Sequence, residues 1–291
     1  MNSLEEQIQD QLAEIGPRAH LVAVCDMAGL DEELRNAVRE RFAGNTFPLL
    51  RDPAWSALHP YSPVLLGASS ADSKGHNKLL GAFLGNLRNA LHGWIVSTVA
   101  PERLAEHFAR ANVARGPDGA AYLLRYYDPL VLPVLYQEAP QQWWRAFIGP
   151  VTSWWVPKGD AKVLRWGKVP GPGDSTATSL SPLMVDQALW RGLTGDALPH
   201  RLLQSLEAQA PELFDTACRG VRLARIEILV SNARKAGLST HDDLHDYVYL
   251  SLAQGAANLA ADHGWLTAMR AAVAGEGGLG DLYSAACRRQ A

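Results

Sequence analysis

The 291-residue sequence has few cysteines, and none of them forms a motif. Cys25, Cys218 and Cys287 are far apart and odd in number, so neither a CxxC pair nor a disulfide framework is present. Isolated thiols of this kind are typical of a reducing compartment. We therefore expect reduced cysteines in a cytoplasmic protein.

The sequence also lacks a long apolar run and a strong excess of one charge. No stretch approaches the ~20 apolar residues that cross a bilayer. The polar, acidic residues 1–11 do not have the pattern of a cleavable signal. The formal net charge of -3 provides no electrostatic footprint for nucleic acid or an anionic membrane. We expect neither nucleic-acid binding nor membrane insertion.

The first two-thirds of the chain alternates strand and helix patterns. Residues 21–25 form a continuous apolar run, as expected of a strand covered on both faces. Further strands are predicted at 63–67, 94–99, 122–126, 152–156 and 162–166. Helices are predicted at 30–42, 79–91, 101–111 and 130–147, the last one broken near Pro140. This alternation predicts an α/β fold with a mixed sheet flanked by helices.

A compositional break precedes an all-helical C-terminal part. Residues 169–182 are rich in Pro, Gly, Ser and Thr, which is typical of a linker. Gly237 is placed to end one later helix, and Thr240 with Asp243 to start the next. We predict an α/β lobe over 1–168, a linker over 169–182 and a helical lobe over 183–291. The helix that Gly237 is predicted to end has apolar residues at helical spacing, which predict its buried stripe. These residues are Leu213, Ala217, Val221, Ala224 and Ile228.

Three motifs suggest catalysis or ligand binding, and each has a stronger structural explanation. Ser69 and Ser70 follow a strand, but the second glycine of a nucleophile elbow is missing. His241 and His245 have a zinc-site spacing, without HExxH or a third ligand. The glycines of residues 275–280 lie between helices rather than after a strand. We predict a loop, a solvated helix start and an interhelical loop, with no catalytic residue, metal or cofactor.

The most distinctive string places an Arg and an Asp at a predicted strand-to-helix junction. It reads Leu124-Arg125-Tyr126-Tyr127-Asp128-Pro129. Asp is a preferred helix N-cap, and Pro suits the first helical position. Arg125 and Asp128 are either a catalytic pair or a structural brace. We favour the brace because no nucleophile, metal ligand or His is near in sequence.

Tryptophan is abundant, and four of the nine residues occur as doublets. Trp154 and Trp155 lie on a predicted strand and must point to opposite faces, whereas Trp143 and Trp144 lie about 100° apart on a helix. Either covered surfaces bury all four, or at least one indole is a protein-binding anchor. The candidate protein-binding or junction residues are Trp94, Arg125, Tyr126, Tyr127, Asp128, Trp143, Trp144, Trp154 and Trp155.

Taken together, these segments resemble the type VI secretion effector adaptor/chaperone family (the Tap/Tec adaptors, with a DUF4123 domain). The resemblance covers residues 19–156, and residues 237–248 resemble the helical tail common in such proteins. Leu130 departs from the pattern, in which Arg often follows the Asp-Pro pair. The resemblance rests on residues 21–26 and the Arg-Tyr-Tyr-Asp-Pro string, and on further matching positions. These are Ser62-Pro63-Val64-Leu65-Leu66, Gly93-Trp94-Ile95-Val96-Ser97, Pro101, Leu104, His107-Phe108, Asp118-Gly119 and Phe147-Ile148-Gly149-Pro150.

The resemblance implies a non-catalytic cytoplasmic protein that binds a toxic effector and delivers it to the spike (VgrG) protein. The effector would bind in a cleft between lobes or on the tryptophan-bearing surface. One alternative is an α/β enzyme, a hydrolase or transferase, that uses the strand-end residues Asp26, Arg125 and Asp128. Another is a structural partner within the secretion complex, without client specificity.

Overall fold

The computed structural model describes residues 3–83, 87, 90–159, 164–174, 180–216 and 219–290. It confirms the predicted fold class, an α/β region with sheets flanked by helices followed by a helical region. The strands are β1 (His20–Cys25), β2 (Thr46–Pro48), β3 (Val64–Gly67), β4 (Leu91–Ser97), β5 (Val113–Arg115), β6 (Ala121–Leu123), β7 (Val151–Gly159), β8 (Leu164–Pro170) and β9 (Leu183–Met184).

Helices account for most of the remaining regular structure. In the first part of the chain they are α1 (Leu4–Ile15), α2 (Glu32–Arg41), α3 (Ser73–Gly81), α4 (Pro101–Ala109), α5 (Val131–Glu138), α6 (Gln141–Ile148) and α7 (Gln187–Thr194). The later ones are α8 (Ala197–Gln209), α9 (Arg219–Lys235), α10 (His241–Gln254), α11 (Ala256–Ala261), α12 (His263–Val273) and α13 (Leu279–Gln290). The predicted break near Pro140 separates α5 from α6.

The chain divides into two compact units. Unit 1 comprises Met1–Lys158 and Trp166–Gly195, and unit 2 comprises Gly159–Arg165 and Asp196–Ala291. The division therefore falls after residue 195 rather than at 182–183. The reason is that β9 pairs with β5 and α7 packs against α5, which buries Leu183 and Leu189 in a core of unit 1.

Part of the predicted linker pairs with the sheet instead of connecting two lobes. Residues 169–170 belong to β8. Gly171 donates a backbone hydrogen bond to Thr152 at 3.1 Å, and Gly173 donates one to Val151 at 2.8 Å. Residues 175–179 lie outside the described residues. The linker was predicted from the content of Pro, Gly, Ser and Thr. Composition does not show which backbone groups pair with a strand, so this pairing was missed.

The main sheet of unit 1 has six strands in the order β2-β3-β1-β4-β7-β8. β1 pairs antiparallel with β3 and β4, and β4 pairs antiparallel with β7. Val22 and Val24 enter one core, which we call the aromatic core, whereas Leu21, Ala23 and Cys25 enter a second core on the opposite face. This confirms the prediction of a strand covered on both faces.

A three-stranded sheet, in the order β6-β5-β9, leads to the predicted junction. β6 ends at Leu123, so the strand predicted at 122–126 is too long. Leu124 donates its N–H to the Asn112 carbonyl at 2.8 Å, and the chain then turns. The side chain of Tyr126 in this turn is completely buried.

The helix predicted at 79–91 is wrong at its C-terminal end. α3 ends at Gly81, and Leu91 already belongs to β4, where it pairs with Cys25. Leu84 lies outside the described residues. The leucines have helical spacing, but pairing with β1 overrides this local preference.

Unit 2 forms its own apolar core from α8 to α13. Gly237, with φ of 100°, ends α9 in a Schellman motif, in which Leu238 donates its N–H to Ala233 at 3.1 Å. Thr240 caps α10 by accepting the Asp243 N–H at 3.1 Å. Both predicted helix boundaries are confirmed.

The buried stripe of α9 differs from the predicted one. Ile228 is 47% exposed, whereas Leu223, Ile226 and Val230 are buried. Apolar residues occupy more than one stripe of this helix, so spacing alone did not identify the core-facing side. Ala217 lies outside the described residues. Among the helices that the structure describes, none has the length and apolar content needed to cross a bilayer.

Candidate functional site

Asp26 and His92 meet at one end of the main sheet. Val24 pairs with Gly93 and Cys25 with Leu91, so His92 is the extra residue of a β-bulge in β4. Asp26 follows β1 directly. The bulge and the strand end bring His92 Nε2 to 3.8 Å from Asp26 Oδ2.

Arg125 reaches the same place from the turn between β6 and α5. Its Nη2 lies 3.5 Å from Asp128 Oδ2 and 3.9 Å from Asp26 Oδ2. Its guanidinium carbon lies 5.8 Å from the centre of the Tyr127 ring. The Arg125 side chain is half exposed, whereas both carboxylates are largely buried. We call Asp26, His92, Arg125, Tyr127 and Asp128 the junction cluster.

Asp128 organises the turn that leads into α5. Its Oδ1 accepts the Leu130 N–H at 2.9 Å, and its carbonyl accepts the N–H groups of Val131 and Leu132 at 3.0 and 3.1 Å. Regular α5 begins at Val131, two residues later than an N-cap at Asp128 predicts. The carboxylate nevertheless satisfies a backbone donor that the start of a helix leaves unpaired.

The electrostatics of the cluster leave His92 neutral beside a permanent cation. Burial lowers the pKa of His92, and Asp26 and Asp128 offset this only in part. Burial also lowers the pKa of Arg125, but Asp128, Tyr127 and Asp26 outweigh it, so that pKa lies above its ordinary value. For Tyr127, burial raises the pKa of the hydroxyl.

The cluster pairs charges, and in the described part of the chain no nucleophilic side chain contacts its imidazole. A nucleophile activated by His92 must lie within hydrogen-bond distance of its ring. Among the described residues, no Ser, Thr or Cys side chain hydrogen-bonds to His92, and its Nδ1 is buried without a partner. The described part of the chain also contains no group of three or more His, Cys, Asp and Glu that could hold a metal.

All five candidate tryptophans are buried, each with less than a tenth of its surface exposed. Trp94 and Trp155 lie in the second core, and Trp143, Trp144 and Trp154 in the aromatic core. Trp154 and Trp155 thus enter opposite cores, as strand geometry requires. Their burial favours the explanation in which covered surfaces enclose them, and none is an exposed anchor.

Phe147 lies at the centre of the aromatic core. The hydroxyl of Tyr126 in this core has no hydrogen-bond partner, and burial raises its pKa well above the ordinary value. Tyr126 precedes α5 and Phe147 lies in α6, and both rings pack in this core. The core therefore holds the chain in place before and after the junction. Ring centroids 4.9 to 6.3 Å from that of Phe147 belong to Phe108, Tyr126, Trp143, Trp144 and Trp154.

Sequence reasoning missed His92 because it is far from Arg125 along the chain. The only available signal was the Leu-His-Gly-Trp string, in which His and Gly interrupt an apolar strand and indicate a bulge. The glycine is required by close packing. A Cβ at Gly93 would lie 2.7 Å from both Trp154 Nε1 and the Trp155 carbonyl oxygen.

The three motifs that were assigned structural roles occupy the predicted positions. The Ser69–Ser70 segment is a loop, in which Ser70 Oγ donates to Asp72 Oδ1 at 2.6 Å. His241 lies at the start of α10 with 59% of its side chain exposed. Gly275, with φ of 78°, lies in the turn between α12 and α13.

Residues 21–146 match the model of a family described as domain of unknown function (DUF4123). The match covers less than half of the chain and includes residues 21–25 of β1 and the whole junction cluster. No curated protein and no solved structure matches the chain. The chain is therefore similar to this family over residues 21–146, which agrees in extent with the resemblance seen in the sequence.

Proposed function

We propose that this protein is a non-catalytic cytoplasmic adaptor that binds a type VI secretion effector and helps to load it onto the spike (VgrG) protein. The observation that carries the proposal is the DUF4123 match over residues 21–146. This region contains the Arg-Tyr-Tyr-Asp-Pro string, whose resemblance to effector adaptors provides the role. The charge pairing of the junction cluster is compatible with a binding protein.

The exposed side of the junction turn is where we place contact with the effector. Arg125 is half exposed, and Leu130 on the same turn is 46% exposed. Arg is enriched at the hot spots of protein interfaces, so Arg125 is the main candidate for this contact. The Asp128 carboxylate holds both residues, through Arg125 Nη2 and the Leu130 N–H.

Co-expression tests the proposal directly. The full chain and the effector encoded beside it are expected to co-elute in pull-down and size-exclusion experiments, and addition of the spike protein is expected to give a ternary complex. An effector from an unrelated secretion cluster is the control. Two soluble proteins that elute separately would contradict the adaptor function. Binding to the spike without any effector would instead favour a structural partner.

Arg125→Ala tests the location of the contact. A hot-spot arginine contributes about 2 kcal/mol, so we expect roughly 30-fold weaker effector binding. Arg103→Ala, at an exposed position of α4, is the matched control and is expected to bind normally. A lower melting temperature with unchanged affinity would make Arg125 a brace only and would move the contact to another surface.

A second candidate is an α/β hydrolase or transferase that uses Asp26, Arg125 and Asp128. The observation in its favour is that these residues meet at a sheet end beside a neutral His92. A carboxylate next to an imidazole is a common acid–base pair. Turnover of a substrate by the wild type that is lost in Asp26→Asn, with effector binding retained, would establish this activity. The adaptor proposal expects no turnover in either protein.

A further inference from the structure

A cavity of about 330 Å³ lies in unit 1 at the end of β1 opposite the junction cluster. It is bounded by the start of β1, the loop after β3 and the first turns of α3 and α4. Its volume is at the lower end of the range found for small-ligand sites. The polar side chains that line it are His20, Asn45, Ser69, Ser70, His76 and Glu102.

His76 is the first indication that the cavity takes a ligand. The residue is only 5% exposed, and its Nε2 is buried without a hydrogen-bond partner. Burial lowers the pKa of His76, and burial likewise lowers that of His20, so both imidazoles are neutral at pH 7.5. A neutral imidazole offers one acceptor nitrogen. Because this nitrogen is buried, a ligand pairs with it only if the side chains of the lining shift, and such pairing removes the cost of an unpaired buried polar atom.

Ser70 presents a second acceptor. Its Oγ donates to Asp72 Oδ1 at 2.6 Å, and the Gly75 N–H donates to the same oxygen at 2.7 Å. Because the hydroxyl proton is committed to Asp72, the lone pairs of Ser70 Oγ remain available for a donor. The loop is held tightly, since a Cβ at Gly75 would lie 2.3 Å from the Ser70 carbonyl oxygen.

The charges around the cavity favour a cation. Glu102 lines it, Asp72 lies directly behind Ser70, and the described lining contains no Lys or Arg. The N-termini of α3 and α4 each contribute about half a positive charge, and Asp72 already caps α3. Two full carboxylate charges exceed two half charges, so an anion is disfavoured.

We propose that this cavity binds a guanidinium group, supplied by a free arginine-like molecule or by an arginine side chain of a partner protein. Guanidinium has five N–H donors and no acceptor, which matches the Glu102 carboxylate, Ser70 Oγ and the His76 nitrogen. Phe47 also lines the cavity, and a planar guanidinium can stack on an aromatic ring. The inference does not depend on the adaptor function.

Titration of the full chain at pH 7.5 tests the chemistry of the ligand. N-acetyl-arginine amide is expected to bind at least tenfold more tightly than the neutral isostere N-acetyl-citrulline amide, measured by calorimetry. Equal affinities, or tighter binding of acetate or phosphate than of the arginine compound, would overturn the proposal. An Arg-containing tripeptide that binds more tightly than free arginine points to a partner protein, and the reverse order points to a small molecule; both results support guanidinium binding.

Substitutions locate the binding in the cavity. Glu102→Gln is expected to weaken binding about fivefold, the range of a partly exposed ion pair. Glu106→Gln, at an exposed position of the same helix outside the lining, is the matched control and is expected to have no effect. His76→Leu is expected to weaken binding as well, with its melting temperature measured in parallel. Unchanged affinity in Glu102→Gln, whose exposed position makes misfolding unimportant, would refute the site.

Discussion

The two units differ in whether their buried polar atoms have hydrogen-bond partners. Across the described residues, nine buried side-chain polar atoms have no hydrogen-bond partner, and all nine belong to unit 1. In unit 2, by contrast, carboxylates of α10 cap the start of α13. Asp243 Oδ1 accepts the Leu279 N–H at 2.8 Å, and Asp246 Oδ2 accepts the Gly280 N–H at 3.0 Å.

This difference supports the placement of both proposed binding sites in unit 1. An unpaired buried polar group costs about 1–3 kcal/mol relative to a paired one. Unit 1 retains such groups at His76 and His92, in the cavity and in the junction cluster, and exceptions to local rules concentrate at functional sites. In unit 2, the N–H groups at the start of α13, which a helix leaves unpaired, are paired with side chains of the same unit.

The largest effect on stability is expected in acid, where unit 1 should lose more free energy of unfolding than unit 2. Burial lowers the pKa of His20, His76, His92 and His107, all in unit 1. In acid the unfolded state therefore binds more protons than the folded state. The free energy of unfolding has its full value above pH 6.5 and decreases as the pH falls below 6.5. Each proton contributes up to about 1.4 kcal/mol per pH unit, less for the more exposed His20.

Denaturant unfolding at pH 7.5 and 5.5, followed by tryptophan fluorescence, measures this effect. The His107→Gln variant is expected to show a smaller loss at pH 5.5 than the wild type does. Equal free energies of unfolding at the two pH values would show that these buried histidines are not held neutral.

Asp243→Ala is expected to have the largest effect of the single substitutions in unit 2. It removes the acceptor of the Leu279 N–H and of Thr240 Oγ1, so we expect a loss of about 2–3 kcal/mol. Asp242→Ala is the control on the same helix, because that side chain is 98% exposed. Equal melting temperatures for both variants would contradict the view that unit 2 depends on internal polar pairing.

Asp128→Ala tests the cap at the junction in unit 1. Loss of the hydrogen bond to the Leu130 N–H is expected to lower stability by about 1 kcal/mol. Asp128→Asn keeps a capping oxygen but removes the charge that faces Arg125. If Asn destabilises as much as Ala in thermal melts, the ion pair rather than the cap is the stabilising contact.

The smallest effect is expected for Tyr126→Phe, which removes a hydroxyl that has no partner. We expect stability to be unchanged or to rise by less than about 1 kcal/mol. The matched variant in unit 2 is Tyr283→Phe, whose hydroxyl lies 2.8 Å from Asp262 Oδ2 and 3.0 Å from Gln254 Oε1. That variant is expected to lose about 1–2 kcal/mol. The opposite order in calorimetry would remove the contrast between the units.

Local patterns predicted those parts of the fold that neighbouring residues determine. The apolar run of β1, the end of α9 at Gly237 and the cap of α10 at Thr240 need no distant partner. The assignment of Leu91 to β4 and the boundary of unit 1 at residue 195 both depend on pairing between strands that are distant in sequence. Periodicity and composition contain no direct signal for such pairing.

The same distinction applies to the candidate site. Arg125 and Asp128 are three residues apart, so their proximity followed from the sequence and is observed at 3.5 Å. His92 enters the cluster only because β4 bulges against β1. The cavity at His76 likewise arises from loops and helix starts that come together in the fold, so the Ser69–Ser70 motif alone did not reveal it.

Because both faces of β1 are covered by a core, the distance between the two ends of the strand is also fixed. A slip of one residue would exchange Val22 and Val24 with the side chains of the other core, so the register of this strand is strongly specified. At about 3.3 Å per residue, His20 and Asp26 are held roughly 20 Å apart along the strand. A single extended partner segment that contacts both ends must therefore contain at least about five residues between its two contact points.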